Sequence, residues 1–186
     1  MAKYFECETL KTIEVVFNIN KVRWIKPCIQ VTNKAPKNLR EAMLQMARNM
    51  ELETKAFFTP PYSVTLDEKA NCVGYLIYDT KQGDDQEMHA YIVGAACFRL
   101  RNEEDKNAHW ALQWVWIFPS YRNHGMFDHI KGYRNSNLMN QAWQVFEEYH
   151  PDFIVEPPYT KAMRAFLRKS PERMKRCPDA RWLLDG

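Results

Sequence analysis

Three apolar runs separated by short polar stretches constrain this chain most. They are Val73-Gly-Tyr-Leu-Ile-Tyr78, His89-Ala-Tyr-Ile-Val-Gly-Ala-Ala-Cys-Phe98 and His109-Trp-Ala-Leu-Gln-Trp-Val-Trp-Ile-Phe118. Aromatic and β-branched residues fill the runs, while turn-forming residues fill Lys81-Gln-Gly-Asp-Asp85 and the charged tip Arg101-Asn-Glu-Glu-Asp-Lys-Asn107. That pattern predicts a β-meander. A sheet with apolar faces needs cover, and the flanking sequence offers helices. Asn38-Leu-Arg-Glu41 has the form of a capping box, and Leu39, Met43, Met46, Met50 and Phe57 recur at helical spacing until Pro60-Pro61. From Gly125 onward a second helical pattern carries Leu138, Ala142, Val145 and Tyr149 on one stripe, with Gly132 and Asn135-Ser-Asn137 as breaks within it.

Alternation in Thr12-Ile-Glu-Val-Val-Phe-Asn-Ile19 and Val22-Arg-Trp-Ile-Lys26 predicts two or three strands within the first 31 residues. After Pro151, Phe153-Ile-Val155 reads as one more short strand. Met163, Phe166 and Leu167 then suit a short helix stopped by Ser170-Pro171. The expected class is α/β, with a mixed, mostly antiparallel sheet flanked by helices. One domain over 1–186 is expected, made of N-terminal strands (1–34), a core (35–170) and a basic C-terminal tail (171–186).

Composition excludes several alternatives. Apolar residues make up 46% and charged residues 26% of the chain, which argues against disorder. The apolar stretch from Tyr91 to Phe98 is far short of the roughly 20 residues a membrane helix needs. The opening residues lack the apolar segment of a signal peptide, so a cytoplasmic protein without a membrane partner is expected. Cys7, Cys28, Cys72, Cys97 and Cys177 are scattered without metal-ligand spacing, so reduced thiols and no metal site are expected. The net charge of +3 conceals an asymmetry, because residues 161–186 carry eight basic and three acidic side chains. For this basic segment a solvated helix face, a phosphate partner and a nucleic-acid surface all stay open.

The end of the third run carries the chemistry. A strand that ends at Pro119 and enters a helix near Gly125 offers unpaired amide groups and a positive helix end to an anion. Arg122 and His124 would add side-chain donors, and Gly125 has no Cβ to hold a phosphate away. From spacing alone, an ordinary strand-to-helix connection fits equally well.

Ile117-x-Pro119-x-x-Arg122-x-x-Gly125 resembles the acetyl-CoA motif of the GCN5-related N-acetyltransferase (GNAT) superfamily, V-x-P-x-x-R/Q-x-x-G-x-G/A. The order of elements over roughly residues 35–170 is similar as well, including Phe153 to Leu167 as the family's fifth strand and following helix. The resemblance implies a GNAT-like acyl-CoA N-acyltransferase fold with acetyl-CoA as co-substrate. Trp116, Ile117 and Phe118 would then meet the pantetheine arm, while Arg122, Asn123, His124, Gly125, Met126 and Phe127 would line the diphosphate. Phe127 stands where the family has Gly or Ala.

The implied reaction moves acetyl to a primary amine, carried by a small molecule or by a protein lysine or N-terminus, through direct attack in a ternary complex. The family's usual proton acceptor, a Glu eleven residues before the motif's Arg or Gln, is replaced by Ala111, and its thiolate-protonating Tyr is replaced by Leu167. His109, sharing a strand face with Ala111 and Gln113, is a candidate base. Tyr159, after the short fifth strand, is a candidate acid. The blander readings are a strand-opening His and a packed Tyr. Trp110, Trp114 and Trp116, at even spacing, are expected to share one face against a helix. A catalytically silent relative that keeps the fold stays open, as does nucleic-acid binding through the basic tail. A homodimer is left open too.

Overall fold

In a computed structural model the described residues are 10, 13–54, 71–83, 87–102, 106–118 and 137–178. They form β1 (Ile13–Asn18), β2 (Trp24–Ile25), β3 (Cys28–Val31), α1 (Lys37–Thr54), β4 (Cys72–Gly83), β5 (Glu87–Arg101) and β6 (His109–Ile117). There follow α2 (Leu138–Tyr149), β7 (Ile154–Val155), α3 (Lys161–Leu167) and α4 (Pro171–Lys175). The strands make one seven-stranded sheet in the order β2-β3-β4-β5-β6-β7, with β1 also paired to β5. Every pairing is antiparallel except β6 with β7. The expected mixed α/β architecture, a large and mostly antiparallel sheet flanked by helices, is present.

β5 organises the sheet because it is long enough to take two partners on one edge. Its first half pairs with β1 (Ile13 opposite Ile92) and its second half with β6 (Gly94 opposite Ile117), while β4 runs along the other edge. The extended N-terminal segment is therefore part of the same sheet as the meander.

The two sheet faces are covered by different helices, and alternation along β4 sets which residues meet which helix. Gly74 faces α1, where an added Cβ would lie 2.6 Å from Met43 Cε. Tyr75, next in sequence, faces α2, with its ring 5.3 Å from Phe146 and 5.7 Å from Phe98. The α2 side is an aromatic core in which Phe98, Phe146, Phe153 and Trp143 meet edge to face, a geometry that adds about 0.5–1.5 kcal/mol per pair beyond area burial. His150 is buried within this core. Its ring stacks on Phe98 and its Nε2 is 2.9 Å from the Tyr75 hydroxyl. Burial without a compensating charge lowers its pKa to about 4.

Helix starts depart from the sequence expectation in two places. The amides of Leu39 and Arg40 donate to the Pro36 carbonyl, so α1 begins before Asn38, whose side chain instead donates to Val16 O of β1 at 2.6 Å. Asn38 ties helix to sheet, and Glu41 pairs with Lys37 at 3.6 Å. At the other end, Ser170-Pro171 stops α3 and also opens α4, since proline at the first helical position gives up an amide that has no helical partner anyway. Cys28, Cys72, Cys97 and Cys177 are buried and take part in no disulfide among the described residues, and burial raises the pKa of Cys97 and Cys177. Among the described residues no cluster of metal-ligating side chains occurs, and no helix is long and apolar enough to cross a membrane.

Candidate functional site

The site is built where β6 loses its outer partner. β7 pairs with β6 only at Ala111 and Leu112, and the last bond of that edge runs from Glu156 N to Leu112 O at 3.0 Å. After Glu156 the chain turns away through Pro157, Pro158 and Tyr159 into α3, whose first turn is capped by the Thr160 hydroxyl accepting from Met163 N. β6 continues straight on to Ile117. Among the described residues no strand pairs with its outer edge beyond Leu112.

A β-bulge at Gln113 sets what that part of β6 presents. Opposite β5 the register steps from Phe98–Leu112 to Cys97–Trp114, which leaves Gln113 as the extra residue. A bulge resets the alternation of faces. Trp110 and Leu112 therefore share a face with Phe98, and the Trp110 ring lies 4.7 Å from His150 on the α2 side. Trp114 and Trp116 turn to the α1 side, where Trp116 Nε1 donates to Glu53 Oε2 at 2.6 Å. The three tryptophans do not share a face as even spacing predicts, because the extra residue between Leu112 and Trp114 breaks the count. Phe118 N bonds inward to Val93 O at 2.7 Å. Strand alternation then points the backbone N–H and C=O of Ile117 and Val115 to the outer edge.

That edge opens on a cleft of about 540 Å³ between β6, the end of α1 and α3. Its walls are apolar at Met50, Met139, Met163 and Phe166, and polar at Glu53, Lys161 and Lys169. Where β6 and β7 diverge lies a small chamber of about 20 Å³ lined by Leu112, Trp114, Val155, Tyr159 and Met163. It shares Met50, Val115, Thr160 and Met163 with the larger cleft. The Trp114 indole N–H is buried without a hydrogen-bond acceptor among the described residues, which costs about 1–3 kcal/mol unless something accepts from it.

Of the residues singled out in the sequence, Trp116 and Ile117 line this cleft and Phe118 is buried beside them, its ring 5.7 Å from Trp116. Arg122, Asn123, His124, Gly125, Met126 and Phe127 lie outside the described residues. His109 is on the α1 face but opens β6, about 20 Å along the strand from Val115 at the usual rise per residue. Its Nδ1 is 2.8 Å from the Asn107 carbonyl. The structure does not bring His109 to the cleft. Tyr159 does reach the small chamber, yet its hydroxyl donates to Val155 O at 2.7 Å, so its proton is committed to the backbone of β7. That commitment fits a packing role for Tyr159.

Sequence reasoning missed Glu53. It sits three residues beyond Met50 of the apolar stripe, on the side of α1 that faces the sheet, and a carboxylate entering such a stripe was the available signal. The basic tail also divides in an unexpected way. Arg173 lies over the Phe166 ring at 4.0 Å and donates to Asn140 Oδ1 at 2.8 Å. Arg176 lies over Phe153 at 4.3 Å and donates to Pro151 O at 2.8 Å. These two guanidinium groups clasp α4 onto α2 and the β7 region, so a wholly solvated basic face is not what the tail forms. Lys161 and Lys169, by contrast, are exposed on the cleft rim.

No family model matches this chain, and no curated protein matches its sequence. Among solved structures, an aminoglycoside acetyltransferase from an uncultured soil metagenomic sample is similar to it at 14% identity and a TM-score of 0.41, over 78% of this chain and 88% of that one.

Proposed function

We propose that the protein is an acetyl-CoA-dependent N-acetyltransferase that moves acetyl to a primary amine by direct attack within a ternary complex. One observation carries the reading: the outer edge of β6 beyond Leu112 has no strand partner among the described residues and faces an apolar cleft with lysines on its rim. A pantetheine arm alternates amide and aliphatic segments. The backbone groups of Val115 would pair with its amides, as an added strand pairs with a sheet edge, while Met139, Met163 and Phe166 would cover its methylenes. Lys161 and Lys169 suit phosphate oxygens by charge. Residues Arg122 to Phe127, whose sequence resembles the diphosphate-binding motif, would complete that end.

The thioester supplies an activated acyl carbon. The chain's own task is to orient that carbon, exclude water and stabilise the oxygen that becomes negative on attack. The outward amide of Val115 and the buried Trp114 N–H are donors of the kind such an oxygen needs. The acceptor is a small-molecule amine or a protein lysine or N-terminus.

A second reading is favoured by a specific observation. His109 is remote from the cleft and the Tyr159 hydroxyl is committed to Val155, which would suit a relative that holds CoA without turnover. Calorimetry with acetyl-CoA, followed by thiol release with a panel of amines, separates the two. Micromolar binding with amine-dependent thiol release is expected. Binding without release would leave the silent module, and no binding at millimolar acetyl-CoA would overturn both.

A further inference from the structure

We infer that Trp114 selects the acyl group: its buried indole N–H receives the carbonyl oxygen of a two-carbon acyl thioester, whose methyl end fills the small chamber where β6 and β7 diverge. This rests on the acyl-transfer reading above. Trp114 is 6% exposed and lines the chamber, and its Nε1 is buried with no acceptor among the described residues. Native structures leave few buried donors in that state, because the lost hydration goes uncompensated. The chamber is the space in which an acceptor from outside can meet this one.

The other polar side chains around the chamber are already engaged. Glu156 takes the Arg101 guanidinium on both carboxylate oxygens, at 2.6 and 2.8 Å. The Tyr159 hydroxyl donates to Val155 O, and the Thr160 hydroxyl accepts from Met163 N. Gln113 Oε1 lies 3.7 Å from Cys97 Sγ. The remaining side chains of the lining are apolar: Met50, Leu112, Val115, Val155, Pro158 and Met163. A guest that matches such a lining has one hydrogen-bond acceptor and is otherwise apolar. A carboxylate or phosphate would bring a charge that one neutral donor does not offset. A short acyl carbonyl meets both conditions.

Size and connection set the length of that acyl group. The chamber's volume of about 20 Å³ is little more than the roughly 10–15 Å³ that one water-sized group needs. One methyl fits, and a chain of several methylenes does not. Met50, Val115, Thr160 and Met163 line both the chamber and the larger cleft, so a thioester lying along β6 in the cleft can extend its acyl end into the chamber. An extra methylene in a fitted apolar pocket is discriminated by about 10–200-fold.

The test uses binding alone, so it needs no acceptor amine. In a proton–nitrogen NMR spectrum of wild type, the Trp114 indole signal is assigned through its own backbone and followed during titration with acetyl-CoA and with CoA. Acetyl-CoA should move the indole proton downfield, as a new hydrogen bond does, while CoA, which lacks the acyl oxygen, should leave it near its starting position. By calorimetry, wild type should bind acetyl-CoA at least about tenfold more tightly than butyryl-CoA. Val155→Ala, which takes two methyl groups from the chamber wall, should bring that ratio toward one. Trp114→Phe keeps an aromatic ring without the N–H and should lose about 2–10-fold more affinity for acetyl-CoA than for CoA. An indole signal that acetyl-CoA and CoA move equally would overturn the role of Trp114. Equal wild-type affinity for acetyl-CoA and butyryl-CoA would overturn the selection by the chamber, and both results come from wild type, whether or not the variants fold. Failure of wild type to bind either thioester would sink the acyl-transfer reading itself, a distinct outcome.

Discussion

Gly94→Ala places a methyl group against the strand that lines the cleft. A Cβ built on Gly94 falls 2.5 Å from Trp116 O, 3.1 Å from Ile117 Cγ1 and 3.2 Å from Ile117 Cα. Two of those three atoms are backbone, so no side-chain rotation relieves them. An ordinary carbon-to-carbonyl-oxygen approach is about 3.3 Å, and β6 must therefore retreat by roughly 0.8 Å. Overpacking of this kind costs about 1–3 kcal/mol, and the stiffer unfolded chain returns about 0.4–1 kcal/mol, leaving a net loss of about 1–2 kcal/mol. Gly74→Ala is the matched control. Its Cβ would meet Met43 Cε at 2.6 Å and Sδ at 3.0 Å, but this is the flexible end of a methionine that can swing aside. Its net change should lie near zero, within about 1 kcal/mol. Urea unfolding of both variants, with unchanged m-values, measures the difference. Gly94→Ala as stable as wild type, or less damaging than Gly74→Ala, would refute the account of a strand held against Gly94 by backbone contact.

Two further perturbations probe the core and the tail. His150 is held neutral by burial, its pKa lowered from 6.5 to about 4; the unfolded chain therefore takes up the proton first, and stability is full above pH 6.5 and lost as pH falls toward 4. The loss should reach roughly 2–3 kcal/mol near pH 4.5, and urea midpoints of wild type and His150→Phe across pH 4.5–7.5 should show a flatter slope in the variant. Arg173→Met removes the bond to Asn140 and the stacking on Phe166, so it should lower stability by about 1–2 kcal/mol. Any salt-dependent binding of a short DNA duplex measured alongside should be no weaker in that variant than in wild type.

The sheet was legible in the sequence because its strands alternate and its turns are polar, and α2 was legible because Leu138, Ala142 and Val145 bury one stripe. Strand lengths were not. β4 runs on through Lys81, Gln82 and Gly83, all placed in the turn by their composition, because pairing with β5 satisfies backbone groups regardless of side-chain polarity. The bulge at Gln113 was hidden for a related reason. An extra residue inside a run that is apolar on both sides leaves no gap in the pattern, and only the cross-strand register reveals that Trp110 and Trp114 face opposite ways. Asn38 looked like a helix cap because its neighbours have the right spacing, whereas the nearby β1 carbonyl offered it a tertiary partner.

At the cleft, the third apolar run could be read as a strand, and its residues Trp116 and Ile117 line the cleft. The groups around them could not, since they arrive from distant elements. Glu53 comes from the end of α1, and Lys161 and Lys169 come from α3 and just beyond it. Arg173 and Arg176 show the converse. As sequence they were two more charges in a basic run, and their stacking on Phe166 and Phe153 depends on a helix pair that only the fold assembles.

In the proposed function, the outer edge of β6 receives an amide-bearing acyl carrier as an added strand. Amide hydrogen exchange of Val115, followed by NMR with and without acetyl-CoA, tests it directly, with Trp116 as the internal reference because alternation points its amide inward to β5. The account predicts that saturating acetyl-CoA slows exchange at Val115 by at least about tenfold while Trp116 is little changed. Binding of acetyl-CoA that leaves Val115 exchange unaltered would contradict it.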